Sequence, residues 1–207
     1  MSTTIGFVSQ KGGVGKSTLS RAVAREAANE GLNVKIADLD TQQGTSVNWH
    51  RRRLEAELEP IFSVEPYRTA KQAISHASAY DLFVLDGPAR TSGGTLDIAK
   101  AADLIVQPTG ASLDDLEPAI LVFHELVKAG IRRDKLAFAL CRVGTEAEER
   151  ECRDYIAQAR YQILAGCLFE KPSYRQAQNL GQAITETRHA SLNKKAETLI
   201  QSIVDMI

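Results

Sequence analysis

The sequence predicts a three-layer α/β sandwich, doubly wound around a mainly parallel sheet. Three observations predict it. Short apolar runs alternate along the whole chain with helix-length amphipathic stretches. The first apolar run passes through a glycine-rich turn directly into a helix. Acidic residues stand at the ends of two later runs: Asp38 and Asp40 after one, Asp86 after the other. In doubly wound sheets ligands bind beyond the carboxyl ends of the strands, so a site is expected there.

Each element follows from its pattern. Ile5–Ser9 reads as a strand, short and apolar. Thr18–Glu30 reads as a helix, with Leu19, Val23 and Ala27 on one face and Gly31 as its stop. Val34–Leu39 is a second strand, Ser46–Glu57 a helix, and Ile61–Val64 a candidate third strand. Thr69–Ala79 reads as a helix leading into the strongly apolar Leu82–Leu85. Ser92–Ala102 is helical. Leu104–Gln107 is a strand that Pro108 ends, since proline has no N–H for a ladder. Leu116–Ala129 is a long amphipathic helix stopped by Gly130. Leu136–Cys141 is a strand, Glu146–Arg160 a helix, and Ile163–Phe169 a last strand or extended segment. Leu192–Met206 is an amphipathic helix. Right-handed crossovers place helices on both faces of the sheet. No repeat, low-complexity tract or linker divides residues 1–207, so a single domain is expected.

Composition narrows the function. The 207 residues suffice for one sizeable core, and 43% hydrophobic with 25% charged residues is the balance of a water-soluble globule. A net charge of −1 excludes a whole-molecule electrostatic hold on nucleic acid, so any such binding must come from a local patch. Cys141, Cys152 and Cys167 have neither disulfide nor metal-type spacing, and His50, His76, His124 and His189 are scattered. No stretch reaches the roughly 20 apolar residues of a membrane span, and Met1 to Gln10 lacks the basic start of a signal peptide. A cytoplasmic protein is expected.

The chemistry concentrates in Gln10-Lys11-Gly12-Gly13-Val14-Gly15-Lys16-Ser17-Thr18, between a strand and a helix. That context suits a phosphate loop. The glycines let several backbone N–H groups point inward, and the helix start adds its positive dipole end. Lys16 can reach β- and γ-phosphate oxygens, Ser17 can hold Mg²⁺, and Thr18 can donate to the α-phosphate. The usual Gly-x-x-x-x-Gly-Lys-Ser/Thr spacing is not met, because position 10 is glutamine. Lys11 followed at once by Gly12-Gly13 resembles instead the deviant Walker A box of the ParA/MinD superfamily. The resemblance implies a phosphate-loop ATPase in which Lys11 crosses a two-fold interface to the partner's ATP, and hence an ATP-bound homodimer. A second cation there would offset the charge of two facing nucleotides.

Val34 to Gln42 resembles the family's second motif, an apolar strand ending Asp-x-Asp-Pro-Gln, with Thr41 in place of the proline. The resemblance implies that Asp40 orients or deprotonates the attacking water and that Asp38 supports the Mg²⁺ shell or the loop. Two solvated carboxylates would look the same in sequence. Asp81 to Pro88 resembles Walker B, with Asp86 binding Mg²⁺ through water and Gly87-Pro88-Ala89 as the switch segment. Together these give a catalytic set of Lys11, Lys16 and Asp40, and nucleotide contacts from Lys11, Gly12, Gly13, Val14, Gly15, Lys16, Ser17 and Thr18. The metal set is Ser17, Asp38 and Asp86.

The Asn/Thr-Lys-x-Asp string of guanine-specific proteins is missing, which favours ATP. By resemblance Arg142 and the loop from Pro108 to Asp114 lie near the adenine; Arg142 reads equally well as a plain surface arginine. Between positions 171 and 195 the bases Lys171, Arg175, Arg188, Lys194 and Lys195 face only Glu186, with Glu170 alongside. ParA-type proteins bind DNA without sequence preference in this region, so Lys171, Arg175, Lys194 and Lys195 are candidates; a solvated charged face is the alternative. Arg51-Arg52-Arg53 reads as an exposed face. The chain looks most like the short plasmid-type partition ATPases, with no room before the box for a helix-turn-helix domain. That implies a nucleoid-associated DNA-segregation switch stimulated by a ParB-like or small centromere-binding protein. The rival is a membrane-positioning switch of the MinD kind, which needs a C-terminal amphipathic helix spare from the fold. Glu197 and Asp205 on Leu192–Ile207 favour packing on the core, so no membrane partner is expected.

Overall fold

A computed structural model describes residues 2–89 and 92–207, with Ser92 described by its backbone alone. The chain runs β1 (Thr3–Ser9), α1 (Lys16–Asn29), β2 (Val34–Asp38), α2 (Thr45–Glu55), β3 (Ser63–Pro66), α3 (Ala70–Ile74) and β4 (Leu82–Ala89). It continues through α4 (Ser92–Ala101), β5 (Leu104–Thr109), α5 (Leu113–Lys128), β6 (Leu136–Val143), α6 (Glu146–Gln158), β7 (Gln162–Ile163), β8 (Leu168–Phe169), α7 (Pro172–Asn179) and α8 (Ala190–Val204). The strands pair in parallel in the order β3-β2-β4-β1-β5-β6-β7, and β8 joins β6 beyond β7. The expected doubly wound sheet is what forms.

β1 is central because Thr4 through Ser9 are all buried, so it needs a neighbour on each edge and a helix layer on each face. On one face Leu19 and Val23 of α1, Trp49 of α2, Tyr174 of α7 and Leu199, Ile200 and Ile203 of α8 close the core. On the other, Ala73 of α3, Ile98 of α4, Phe123 of α5 and Ile156 of α6 do so. The chain winds outward from β1 through β2 and β3, returns to β1's edge as β4, then crosses to β5 on the other side. The reversal opens a crevice at the carboxyl end of β1, where the phosphate loop lies.

Four expectations differ from the structure. Pro108 does not end β5: it lies in the strand opposite Ala139, because pairing with β1 already stops at Val106 and leaves no ladder there to interrupt. The expected helix Thr69–Ala79 is α3 capped by Thr69, which accepts from the Gln72 N–H at 3.1 Å, followed by a separate 3-10 turn over Ala77–Ala79. Ser75 donates to the Gln72 carbonyl at 2.8 Å and so competes with continuation of the helix. Gly87-Pro88-Ala89, expected as a loop, is the end of β4. Gly87 is needed for close approach, since a Cβ there would meet the Phe7 carbonyl at 2.6 Å. Helix α7 was not foreseen.

Candidate active site

The glycine-rich segment connects β1 to α1 as a loop whose Gly13 and Gly15 have φ of 76° and 122°. Such values are strained for any side chain. A Cβ on Gly15 would also approach the Cys141 Sγ to 3.2 Å. α1 begins at Lys16 with no side-chain cap and no acid in its first turn. Its first N–H groups are therefore free for an anion, as a phosphate site requires. Lys16 is buried, and its Nζ donates to the Lys11 carbonyl at 3.3 Å. Burial lowers its proton affinity, while Asp86 and Asp40 oppose that.

Two buried acids stand beside it. Asp38 and Asp86 are direct partners across β2 and β4. Asp38 accepts from the backbone N–H groups of Asp40 at 3.1 Å, Ser46 at 2.9 Å and Val47 at 3.1 Å. Both its oxygens are thus engaged in shaping the loop after β2 and capping α2. Of the two roles left open for Asp38, this geometry is that of loop support. Asp86 Oδ2 accepts from the Ser46 hydroxyl at 2.7 Å, while Oδ1 is buried with no hydrogen-bond partner. Burial raises the proton affinity of both carboxyls; Ser46, Arg21, Ser17 and Lys16 oppose it at Asp86. A hydroxyl and a carboxylate oxygen with unused capacity, next to a phosphate loop, suit Mg²⁺, a hard cation that keeps several waters. Among the described residues no group of three or more His, Cys, Asp or Glu could hold a metal.

Asp40 lies on the loop leading to α2, where its carboxylate accepts from the Gln43 N–H at 3.2 Å. It lines a cavity of about 610 Å³ together with Gly12, Gly13, Gly15, Lys16, Ser17 and Thr18. Lys11 is outside that lining. Its Nζ pairs with Asp115 Oδ1 at 2.8 Å, and its side chain is 41% exposed. Val14 is buried.

A second cavity of about 290 Å³ adjoins the loop at Gly13, Gly15 and Thr18. Cys141, Leu168, Phe169, Tyr174 and Ile184 give it apolar walls and Arg142 an edge. That size and character suit a planar base. Arg142 has φ 57° and pairs with Glu170 at 3.6 Å. The loop from Pro108 to Asp114 does not line this cavity. Pro108 instead backs Gly15, and Asp115 just beyond the loop holds Lys11.

The basic candidates do not form one patch. Lys171 and Arg175 line this second cavity, and Arg175 also lines the larger cavity at the phosphate loop while pairing with Glu170 at 3.1 Å. Lys194 and Lys195 are exposed on α8, with Lys195 4.7 Å above the Phe169 ring. The Arg51-Arg52-Arg53 run is no uniform exposed face. Arg51 is exposed, Arg52 lines the phosphate cavity, and Arg53 is 1% exposed, bound to Glu186 at 2.7 Å and stacked on Trp49 and Phe62. Sequence reasoning missed Arg21, Ser46, Arg52 and Gln178. Proline at the first helical position of the amphipathic stretch Pro172–Asn179 was the available signal for α7.

Comparison with known proteins agrees with this architecture. Residues 5–184 match the nucleotide-binding domain described as CobQ/CobB/MinD/ParA. The chain is similar to the chromosome-partitioning ATPase Soj of Thermus thermophilus, 31% identical over 157 residues, which cover 61% of this chain and 63% of that one. It is also similar to protein SopA of Escherichia coli, 25% identical over 173 residues, covering 59% of this chain and 45% of SopA. The matches thus span less than two thirds of either relative. The fold resembles that of the Pyrococcus furiosus cell-division ATPase MinD, with TM-score 0.80, 16% identity and full coverage of both chains. It also resembles a Borrelia burgdorferi plasmid partition protein bound to AMPPNP, with TM-score 0.74, 15% identity and 100% of both chains covered. With a deviant phosphate loop, two acidic strand ends and a family match over most of its length, this chain belongs to the MinD/ParA family of nucleotide-binding domains.

Proposed function

We propose that the chain is a Mg²⁺-dependent ATPase whose ATP-bound homodimer binds DNA without sequence preference and drives DNA segregation. One observation carries the reading: the two lysines of a single loop serve different spaces. Lys16 is buried in the phosphate cavity, whereas Lys11 stands outside its lining at the surface beside α5. A cation of that loop which does not face its own cavity is available to a second subunit's nucleotide.

In this reading the loop N–H groups, Lys16 and Thr18 bind the phosphates, and the walls around Arg142 and Leu168 take the base. Ser17 and Asp86 would hold Mg²⁺, which would supply charge neutralisation at the phosphates. Asp38 fixes the loop that presents Asp40. Asp40 orients the attacking water, the step in which positioning supplies most of the rate. Lys11 of the partner subunit completes the charge balance. Two copies bring two sets of Lys194 and Lys195 together, so ATP controls DNA affinity through valency. The similarity to Soj, a chromosome-partitioning ATPase, supports segregation. The stimulating partner proposed is a ParB-like or small centromere-binding protein, and the place proposed is the nucleoid. A membrane-positioning role would need a helix with a spare apolar face. The apolar residues Leu199, Ile200 and Ile203 of α8 are buried in the core, and among the described residues no helix is long and apolar enough to cross a membrane.

The test is the Asp40→Ala protein, sized with and without ATP and then with duplex DNA or liposomes. ATP binding should persist while turnover falls by about 100-fold or more. A long-lived dimer that shifts DNA and ignores liposomes is expected. Single subunits in ATP would remove the dimer switch, and normal turnover would remove the role of Asp40.

A further inference from the structure

The phosphate cavity continues past the loop as a cleft between α2 and α7, and its walls carry more positive charge than nucleotide binding uses. Arg21 of α1, Arg52 of α2 and Arg175 of α7 all line it. Arg175 has an acid partner in Glu170. Among the described residues Arg21 and Arg52 have none within hydrogen-bond reach. Arg21 is 4% exposed, yet its donors go to neutral oxygens: Nε to the Ser46 hydroxyl at 3.2 Å and Nη1 to Gln178 Oε1 at 2.9 Å. Its Nη2 is enclosed without a partner, and so is the Nε of Arg52. Arg21 is pulled down to about 10, chiefly by burial; Asp86 opposes this, Arg52 adds to it, and Asp38 opposes it more weakly. Asp38 is engaged by backbone N–H groups and Asp86 Oδ2 by Ser46; the two carboxylates act on Arg21 through their charge, and among the described residues neither is hydrogen-bonded to it. Mg²⁺ bound at Asp86 would cancel that acid's charge and deepen the surplus. Buried guanidinium donors without partners cost free energy, and an anion that joins them offsets that cost.

We propose that Arg21 and Arg52 form a second anion site, separate from the phosphate loop, for the inorganic phosphate released when ATP is cleaved. This rests on the ATPase reading. Hydrolysis joins the water oxygen to the γ-phosphorus, breaks its bond to the bridging oxygen of ADP and yields phosphate in the same cavity that Asp40 lines. Both arginines line that cavity, and their planar donors match a tetrahedral oxyanion. Arg21 also touches Ser46 of α2 and Gln178 of α7, so a phosphate held there ties both walls of the cleft together.

The probe is inorganic phosphate, titrated by calorimetry into protein loaded with Mg²⁺ and ADP. Wild type should bind one phosphate per chain. Arg52→Ala should weaken it about tenfold, and Arg52→Lys, which keeps the charge but not the fork, by less. Arg21→Lys, a variant that keeps the buried charge, should weaken it as well. In a single turnover with a phosphate sensor, release should lag cleavage in wild type, and the lag should shorten in Arg52→Ala. No phosphate binding by wild type, or equal affinity in Arg52→Ala, overturns the site. So does a loss confined to duplex DNA binding. Failure of the ATPase reading shows separately, as wild type that does not cleave ATP in a quench experiment; added phosphate then decides the site alone.

Discussion

Lys11 and Lys16 lie five positions apart on one loop and face different physical tasks. Lys16 is fixed by burial at the helix start, so no other conformation competes for it. The Lys11 side chain is held by Asp115, in an ion pair whose side chains are 41% and 26% exposed. Such a pair contributes about 1 kcal/mol or less, because water screens it. If Lys11 serves the partner's nucleotide, it must leave Asp115 first, and that contact then opposes dimerisation by the same amount. Asp115→Ala is expected to tighten the dimer formed with a non-hydrolysable ATP analogue by up to about fivefold. Sedimentation over a protein dilution series reads this directly. A weaker dimer would mean that Asp115 supports the interface instead of competing with it. Neither residue's partner could be named from sequence, since positions 11 and 115 meet only through the order of β1 and β5 in the sheet.

Helix α7 is the element that changes the reading most. It covers the phosphate cavity with Arg175 and Gln178 and the base cavity with Lys171 and Tyr174, while Tyr174 anchors it by donating to the Leu192 carbonyl at 2.9 Å. The basic cluster read from sequence as one surface therefore divides by element. Arg175→Ala should weaken ATP binding several-fold in calorimetry. Lys194→Glu with Lys195→Glu should leave ATP binding intact and reduce both DNA affinity and its salt slope. If the two α8 lysines change nothing in DNA retardation, the DNA surface is elsewhere. At the opposite edge, β3 is joined to β2 by Lys35 and Glu65 at 2.7 Å, with Lys35 also 5.2 Å from the Tyr80 ring. The Lys35 hydrogen bond holds Glu65 below the ordinary glutamate value of 4.5. An acid with a depressed folded value stabilises the fold above its unfolded value, and the contribution fades as pH falls through the folded one. Wild type should exceed Glu65→Gln in urea midpoint between pH 6 and 8, and the two should converge as pH falls through the folded value, below 4.5. Because Glu65 is half exposed, the difference should be about 1 kcal/mol or less. A gap that persists at pH 3 would assign the effect to packing.

At the scale of the whole molecule, the sheet and the site are legible in sequence for the same reason. Parallel strands buried on both faces give apolar runs that stand out, and a phosphate loop needs its residues consecutive, so Gly12 to Thr18 are visible without a fold. What escaped is what tertiary contact decides. Arg53 sits in a charged run yet is enclosed because Glu186, 133 positions later, pairs with it. Pro108 stays in β5 because pairing with β1 has already stopped at Val106. Ser46, which donates to Asp86 from 40 positions away, has no motif at all. The same contacts set a conflict between stability and function, centred on Asp86. Burial raises the proton affinity of its carboxyl more than Ser46, Arg21, Ser17 and Lys16 together lower it, so the charged form is disfavoured where it stands. Asparagine has the same shape and can still accept from Ser46. Without ligands, Asp86→Asn should be more stable than wild type by about 1 kcal/mol, a rise in melting temperature of roughly 2–4 °C for a chain this size. If Asp86 holds Mg²⁺ as proposed, addition of Mg²⁺ with ADP should reverse the order, since binding stabilises by RT ln(1 + [L]/Kd) and the variant would lose a metal contact. Thermal unfolding with and without Mg²⁺–ADP tests both halves. If the variant melts lower in the absence of ligands, Asp86 is a structural counter-charge for Arg21 and Lys16, not a carboxylate held at a cost for the metal.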